Sequence, residues 1–300
     1  MIGMVTPVTL PNNHLPLVPQ PVSMMLALSR ITKKPSPEKG RVNMDPNQII
    51  GMGVDAYSAL DSESKHAIAY PSAKTLGLAI DGLVTLACYP LLKARIFTQG
   101  RLSQYQKEVS AKIDQIPEKN RDRSKLGLVI KAIEEARYQL NENDIRKMYV
   151  NLISSTVDNR KNNVVSPRLA TVVSQFGLND ANFLKTIYQQ DGQQLPYGQL
   201  RLDLDNDYGY TFPIKIAITD NSKVLKNFSS SLDILVSLGV VNDKQRNRLA
   251  QSDDRYAQIE DALKATIAKP EEYENNTYNL INSYIDLTNF GRDLCKCIFE

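Results

Sequence analysis

The side chains able to do chemistry are few, and none completes a set. Histidine occurs only as His14 and His66. A histidine base needs a partner that orients its ring, but His14 falls in a proline-punctuated leader and His66 stands alone beside Lys65. The cysteines are Cys88, Cys295 and Cys297. Cys295-Lys296-Cys297 would be half of a zinc shell that two such histidines cannot complete, so the thiols read as small buried hydrophobes. An odd, low cysteine count fits a reducing compartment without a disulfide framework. Glu134 and Glu135 are adjacent, hence about 100 degrees apart on a helix, and do not converge as an acid–base pair. Asp203, Asp205 and Asp207 have the spacing of a calcium loop, yet Tyr208 stands where its glycine belongs and Ile214 where its glutamate belongs. They read as turn residues. No glycine-rich phosphate loop, HExxH, GxSxG or paired CxxC occurs. The expectation is no catalytic residue, no metal and no cofactor, with no small-molecule substrate evident.

One carboxylate stands apart. Asp81 is the only charge in TLGLAIDGLVTLACYPLL, residues 75–92, which is followed by Lys93, Arg95 and Arg101. The stretch is near the minimum length for crossing a bilayer, but a central Asp would cost about 2.5–3.5 kcal/mol and Pro90 would disturb its end. Leu76, Ile80, Leu83, Ala87 and Leu91 line one side of the helix, with Asp81, Thr85 and Cys88 on another. This suits a helix packed among others or lying on a membrane surface. Leu76, Ile80, Asp81, Leu83, Leu91, Lys93 and Arg95 are therefore the candidate membrane or partner contacts.

The elements that would position these residues can be read from periodicity. Residues 1–45 hold seven prolines and no sustained period, and read as a flexible leader. Residues 46–120 read as an apolar and amphipathic helical arm: a short helix, the 75–92 stretch, then a helix over 96–116 carried by Leu102, Tyr105, Val109 and Ile113 and stopped by Pro117. Residues 121–190 read as a helical core of four stripes. Leu126, Val129, Ile130, Ile133, Ala136 and Leu140 make the first. Ile145, Met148, Tyr149, Leu152 and Ile153 follow a cap at Asn141 or Asn143. Ser166-Pro167 opens the third stripe; Gly177 ends it in a left-handed turn and Asn179 caps the fourth. Residues 191–300 read as a winged-helix-like domain: a hairpin from Leu200 to Ile218, a helix over 222–238, Gly239 with a short strand, a further helix, a strand over 278–287 and a final helix capped by Thr288. The fold class is mainly α with a small α+β part.

EEARYQLNENDIRKMYVNLISSTVDNRKNNVVSPRLATVVSQFGLNDANFLKTI, in the helical core, resembles the bacterial Abi-alpha (abortive infection alpha) family. The resemblance runs back to about Leu76 and forward through SLGVV and LTNFGRDLCKC. It implies a part in defence against phage, in which an infected cell stops supporting the infection, and it carries over no catalytic residues. LTNFGRDL also resembles the close of many bacterial winged-helix folds.

Charge narrows the partners. Residues 1–170 carry 23 Lys and Arg against 15 Asp and Glu, and residues 171–300 carry 13 against 18. The basic front half could meet a phosphate-bearing surface, while the acidic back half argues against a simple DNA-binding module there. Residues 222–238 offer only Lys223 and Lys226, opposed by Asp233, where several phosphate contacts normally supply affinity. The sequence is thus read as a non-enzymatic phage-defence protein acting through a protein partner, self-association or a membrane surface. The alternative is a winged-helix transcriptional regulator, with DNA the less favoured partner. Without a signal-peptide pattern at the N-terminus, the expected location is cytoplasmic or peripheral on the inner face of the cell membrane.

Overall fold

The computed structural model describes residues 54–93, 98–204, 208–268 and 276–300. The leader, Arg95, Asp205 and Asp207 lie outside the described residues, as does the side chain of Lys93.

Among the described residues eight α-helices come first: α1 (Val54–Ser58), α2 (Ser62–Ala69), α3 (Leu76–Lys93), α4 (Gln99–Asp114), α5 (Leu126–Ala136), α6 (Asn143–Thr156), α7 (Arg168–Val173) and α8 (Leu178–Tyr188). Asp61 caps α2, its carboxylate accepting from the Ser64 N–H at 2.7 Å, and Thr98 caps α4. α6 is the hub of the bundle. It packs against α4, α5, α7 and α8, and Ile145, Met148, Tyr149, Val150, Leu152 and Ile153 are all buried along it. Asn143, Asp144 and Lys147 stay exposed, so α6 is an amphipathic helix with a broad buried face.

An antiparallel sheet follows, built from β1 (Gln194–Asp203), β2 (Gly209–Thr211), β3 (Ile216–Ile218), β4 (Val224–Leu225), β5 (Val241–Lys244) and β6 (Tyr278–Leu287). The order is β4-β3-β1-β6-β5, with β2 on the far end of β1. The long central pair β1 and β6 runs in register from Gln194 opposite Asp286 to Leu202 opposite Tyr278. Alternation along the strands serves two cores. Leu195, Tyr197, Ala217, Ile285 and Leu287 join the helical bundle, while Leu200, Ile216 and Ile218 face helix α10 (Asp253–Thr266) through Tyr256, Ile259 and Leu263.

α9 (Ser229–Ser237) lies between β4 and β5, and its cap residue Phe228 stacks on Phe183 of α8 at 5.0 Å. The last helix, α11 (Asn289–Ile298), turns back to the bundle and packs on α6. The Asn151 amide donates to Ile298 O at 2.8 Å and the Ser155 hydroxyl to Cys297 O at 3.1 Å. One hydrophobic cluster therefore runs from Ala56 through Ile298, across the boundary drawn at residue 190.

The protein is mostly helical with a small antiparallel sheet toward its C-terminus, as expected. Three local expectations are corrected. The helix expected over 222–238 begins only at Ser229, because Val224 and Leu225 are taken up as edge strand β4 against Ala217 and Ile218. Gly177 is extended rather than left-handed and itself caps α8, its N–H donating to Asp180 at 2.8 Å, so Asn179 lies inside the helix. Glu142 rather than an asparagine occupies the cap position of α6.

Candidate functional site

α3 is an apolar helix with one carboxylate, and the fold spends its apolar side on the chain's own interior. Leu76, Ile80 and Leu83 are 0, 0 and 2 % exposed, and Leu91 packs partly buried against the same core. In this conformation these residues meet α2, α4 and α5 rather than an outside surface. Pro90 sits inside the last turns and lacks the N–H that would bond the Leu86 carbonyl, so the ladder is weakened there.

Asp81 faces α4. Its Oδ2 accepts from the Ser110 hydroxyl at 2.8 Å. The Gln106 amide donates to Asp81 O at 3.1 Å and to Thr85 Oγ1 at 2.9 Å. Thr85 in turn donates to Asp81 O at 3.0 Å. The other carboxylate oxygen, Oδ1, is buried without a hydrogen-bond partner. Burial lifts the Asp81 carboxyl to about 6; the Ser110 bond works against the rise and the Asp114 carboxylate adds to it. α3 is thus held to α4 by a small polar latch whose central group is costly to ionise.

The other side of α4 is held differently. The Arg146 guanidinium of α6 grips Glu108 with two bonds of 3.0 Å, and also donates to Asn143 and to Leu140 O. Gln104 donates to the same carboxylate at 2.9 Å. Burial pushes the Glu108 carboxyl up, but the Arg146 and Gln104 bonds outweigh it, and the net shift is downward. Between these two attachments lies a hydrophobic interior. Tyr105 and Tyr149 are fully buried there, and their hydroxyls lack hydrogen-bond partners.

The residues singled out for chemistry do not converge. All three thiols are buried and free, and burial pushes Cys88 up to about 12, Cys297 to about 11 and Cys295 higher still. A thiolate nucleophile requires the opposite shift. His66 is exposed, its ring tilted against Tyr70 at 5.2 Å. Asp203 is occupied by Arg201 and Asn279. Among the described residues no three His, Cys, Asp or Glu side chains gather as a metal ion would need. No described helix is long and apolar enough to cross a membrane.

Asp81 was legible as an isolated charge, but its partners were not. Ser110 lies 29 residues away, and the only signal was that Gln106 and Ser110, four apart, border the stripe of Tyr105 and Val109. The Glu108–Arg146 pair was likewise missed, its members being 38 residues apart.

The profile of the family described as abortive infection alpha matches residues 98–298, roughly two thirds of the chain. The chain belongs to this family. The match takes in α4 with Gln106, Glu108 and Ser110, all of α5 to α8, and the sheet with α11. It begins beyond α3, later than the Leu76 expected from the sequence, so Asp81 lies upstream of the family match. Comparisons with curated proteins and with solved structures return no match.

Proposed function

We propose that this abortive infection alpha protein acts in phage defence without catalysis, through α3 as a releasable arm. The observation that carries the reading is the latch: an apolar 18-residue helix whose polar attachment to the family-matched body centres on a carboxylate that is costly to ionise where it sits. Infection loosens the Asp81–Ser110 contact, α3 leaves the bundle at the Pro90 end, and its apolar side acts on a membrane surface or a protein partner, including a second copy. The place of action is the cytoplasm or the inner face of the cell membrane.

Cys88 reports the event, because it lies on α3 and is shielded in the docked state. Cells carrying the gene are infected, alkylated with an isotope-coded reagent and examined by mass spectrometry, alongside plaque counts and survival of infected cells. The expected outcome is fewer plaques, death of infected cells and rapid labelling of Cys88 ahead of Cys295 and Cys297. Cells that die while Cys88 stays protected would sink the arm. Dye exclusion by those dying cells would remove the membrane version and leave the partner version.

A second reading rests on the C-terminal part. α9, Gly239 at φ +70° and β5, with β5 paired to β6 and β6 to β1, supports a winged-helix-like unit into which α10 is inserted. Its surface favours protein contact over DNA: α9 reads SSSLDILVS without a Lys or Arg, and the Lys226 ammonium bonds Thr266. A salt-dependent mobility shift of the gene's own promoter fragment would promote the regulator reading, since phosphate contacts dominate such affinity.

A further inference from the structure

Away from the α3 latch, residues of α6, α8 and the close of α11 line a groove of about 320 Å³. The volume is at the lower end of what small-molecule sites occupy. Its walls are unusual. Two helices that face each other normally turn apolar stripes inward, yet here α8 presents Asn182, Lys185 and Gln189 at spacings of three and four, and α6 presents Lys147 and Asn151. The floor is apolar, made by Met148, Ile298 and the ring of Phe299, which stacks on Tyr188 at 5.7 Å.

The polar groups of the two walls are largely unspent. Among the described residues neither the Lys147 nor the Lys185 ammonium has a hydrogen bond or an ion pair, and the Asn182 and Gln189 amides are equally free. Lys147 acts on Glu108 only from a distance. Lys185 is unpaired in a half of the chain where acids outnumber bases, 18 to 13. Two carboxylates stand at the edge: Asp144 in the lining, and Glu300, which accepts from the hydroxyl of the lining residue Tyr188. Two unneutralised ammonium groups and free amides over an apolar floor call for a ligand that is anionic at one end and flat and apolar at the other.

We propose that this groove binds a small organic phosphate with an aromatic body, the phosphate between Lys147 and Lys185 and the ring on the floor of Met148 and Phe299. Ammonium groups bind phosphate as point charges, and amide donors complete its shell. This site is independent of arm release and stands or falls separately. It was not legible in the sequence, since its walls come from residues 144–151, 182–189 and 298–299.

The test uses the full chain and phenyl phosphate as probe, followed by thermal unfolding and calorimetric titration. The expected result is a saturable rise in the unfolding temperature, weakened by added salt. Lys147→Gln and Lys185→Gln are each expected to weaken binding by about tenfold, the ratio that corresponds to one charge-assisted hydrogen bond. Neither variant should change the unliganded unfolding temperature, because both lysines are exposed and unbonded. No saturable binding at millimolar phenyl phosphate, or undiminished binding by the double variant, overturns the site. Inorganic phosphate binding as tightly as phenyl phosphate overturns the aromatic part of the assignment.

Discussion

Ionised Asp81 sits where water is scarce, and this fixes the sign of its effect. The folded-state carboxyl titrates at about 6 against an ordinary 3.8, so the folded chain holds this proton more tightly than the unfolded one. The contribution is fully present below about pH 4 and is lost as pH rises through 6. Asp81→Asn keeps an oxygen to accept from Ser110 and removes the charge. It is expected to raise stability at pH 8 by about 1–2 kcal/mol, allowing for the solvent that still reaches the group, and to flatten the profile between pH 4 and 6. Urea unfolding at stepped pH checks this; a variant less stable than the parent at pH 8 would contradict it. Ser110→Ala should act oppositely, stripping the buried carboxylate of its side-chain donor at a cost of about 1–2 kcal/mol at pH 8 and less at pH 4. Glu108 has the reverse sign: its carboxyl is lowered, so its contribution is present above its ordinary pKa and is lost on acidification. Arg146→Ala leaves that carboxylate with only the Gln104 amide as donor and strips the guanidinium bond from the Leu140 carbonyl, and about 3 kcal/mol of destabilisation is expected at neutral pH, measured by the same unfolding assay.

At the scale of elements, the start of α11 is a closely packed joint. The Thr288 hydroxyl is placed to bond Gly239 O at 2.7 Å, and it accepts the Gly291 N–H at 2.8 Å, capping α11 while tying it to the turn before β5. A Cβ on Gly291 would lie 2.0 Å from the Val240 carbonyl oxygen, which belongs to backbone and cannot swing aside. Gly291→Ala is expected to cost more than Thr288→Ala, for which the loss of a cap predicts about 1–2 kcal/mol; equal melting temperatures for the two variants would show that the joint yields. Neither tie was legible in the sequence, where Thr288 shows only as a cap. Elements with one strong period were legible: the stripe from Leu126 to Ala136 became α5, and the strand expected over 278–287 is β6 residue for residue. Val224 and Leu225 were misassigned because two apolar residues satisfy both periods, and only the neighbouring edge of β3 decides between them. The latch and the groove were hidden for another reason: each joins residues distant in sequence, and periodicity reports only on local neighbours.

For the whole molecule, the decisive relation is the return of the chain's end to its middle. The same hydrophobic cluster takes in α3, α6, β1 and α11, so the bundle and the sheet should unfold together. Far-ultraviolet circular dichroism and tyrosine near-ultraviolet signals are expected to coincide in one transition. Two separated transitions would mean that residues 121–190 form a unit of their own, as the periodicity alone implied. α11 meets α6 across a separation of 147 residues, from Asn151 to Ile298. Contacts of such reach form late and slowly. During synthesis, a chain whose residues 289–298 are still held by the ribosome therefore has a central helix with one flank open, and the bundle closes only once α11 has emerged.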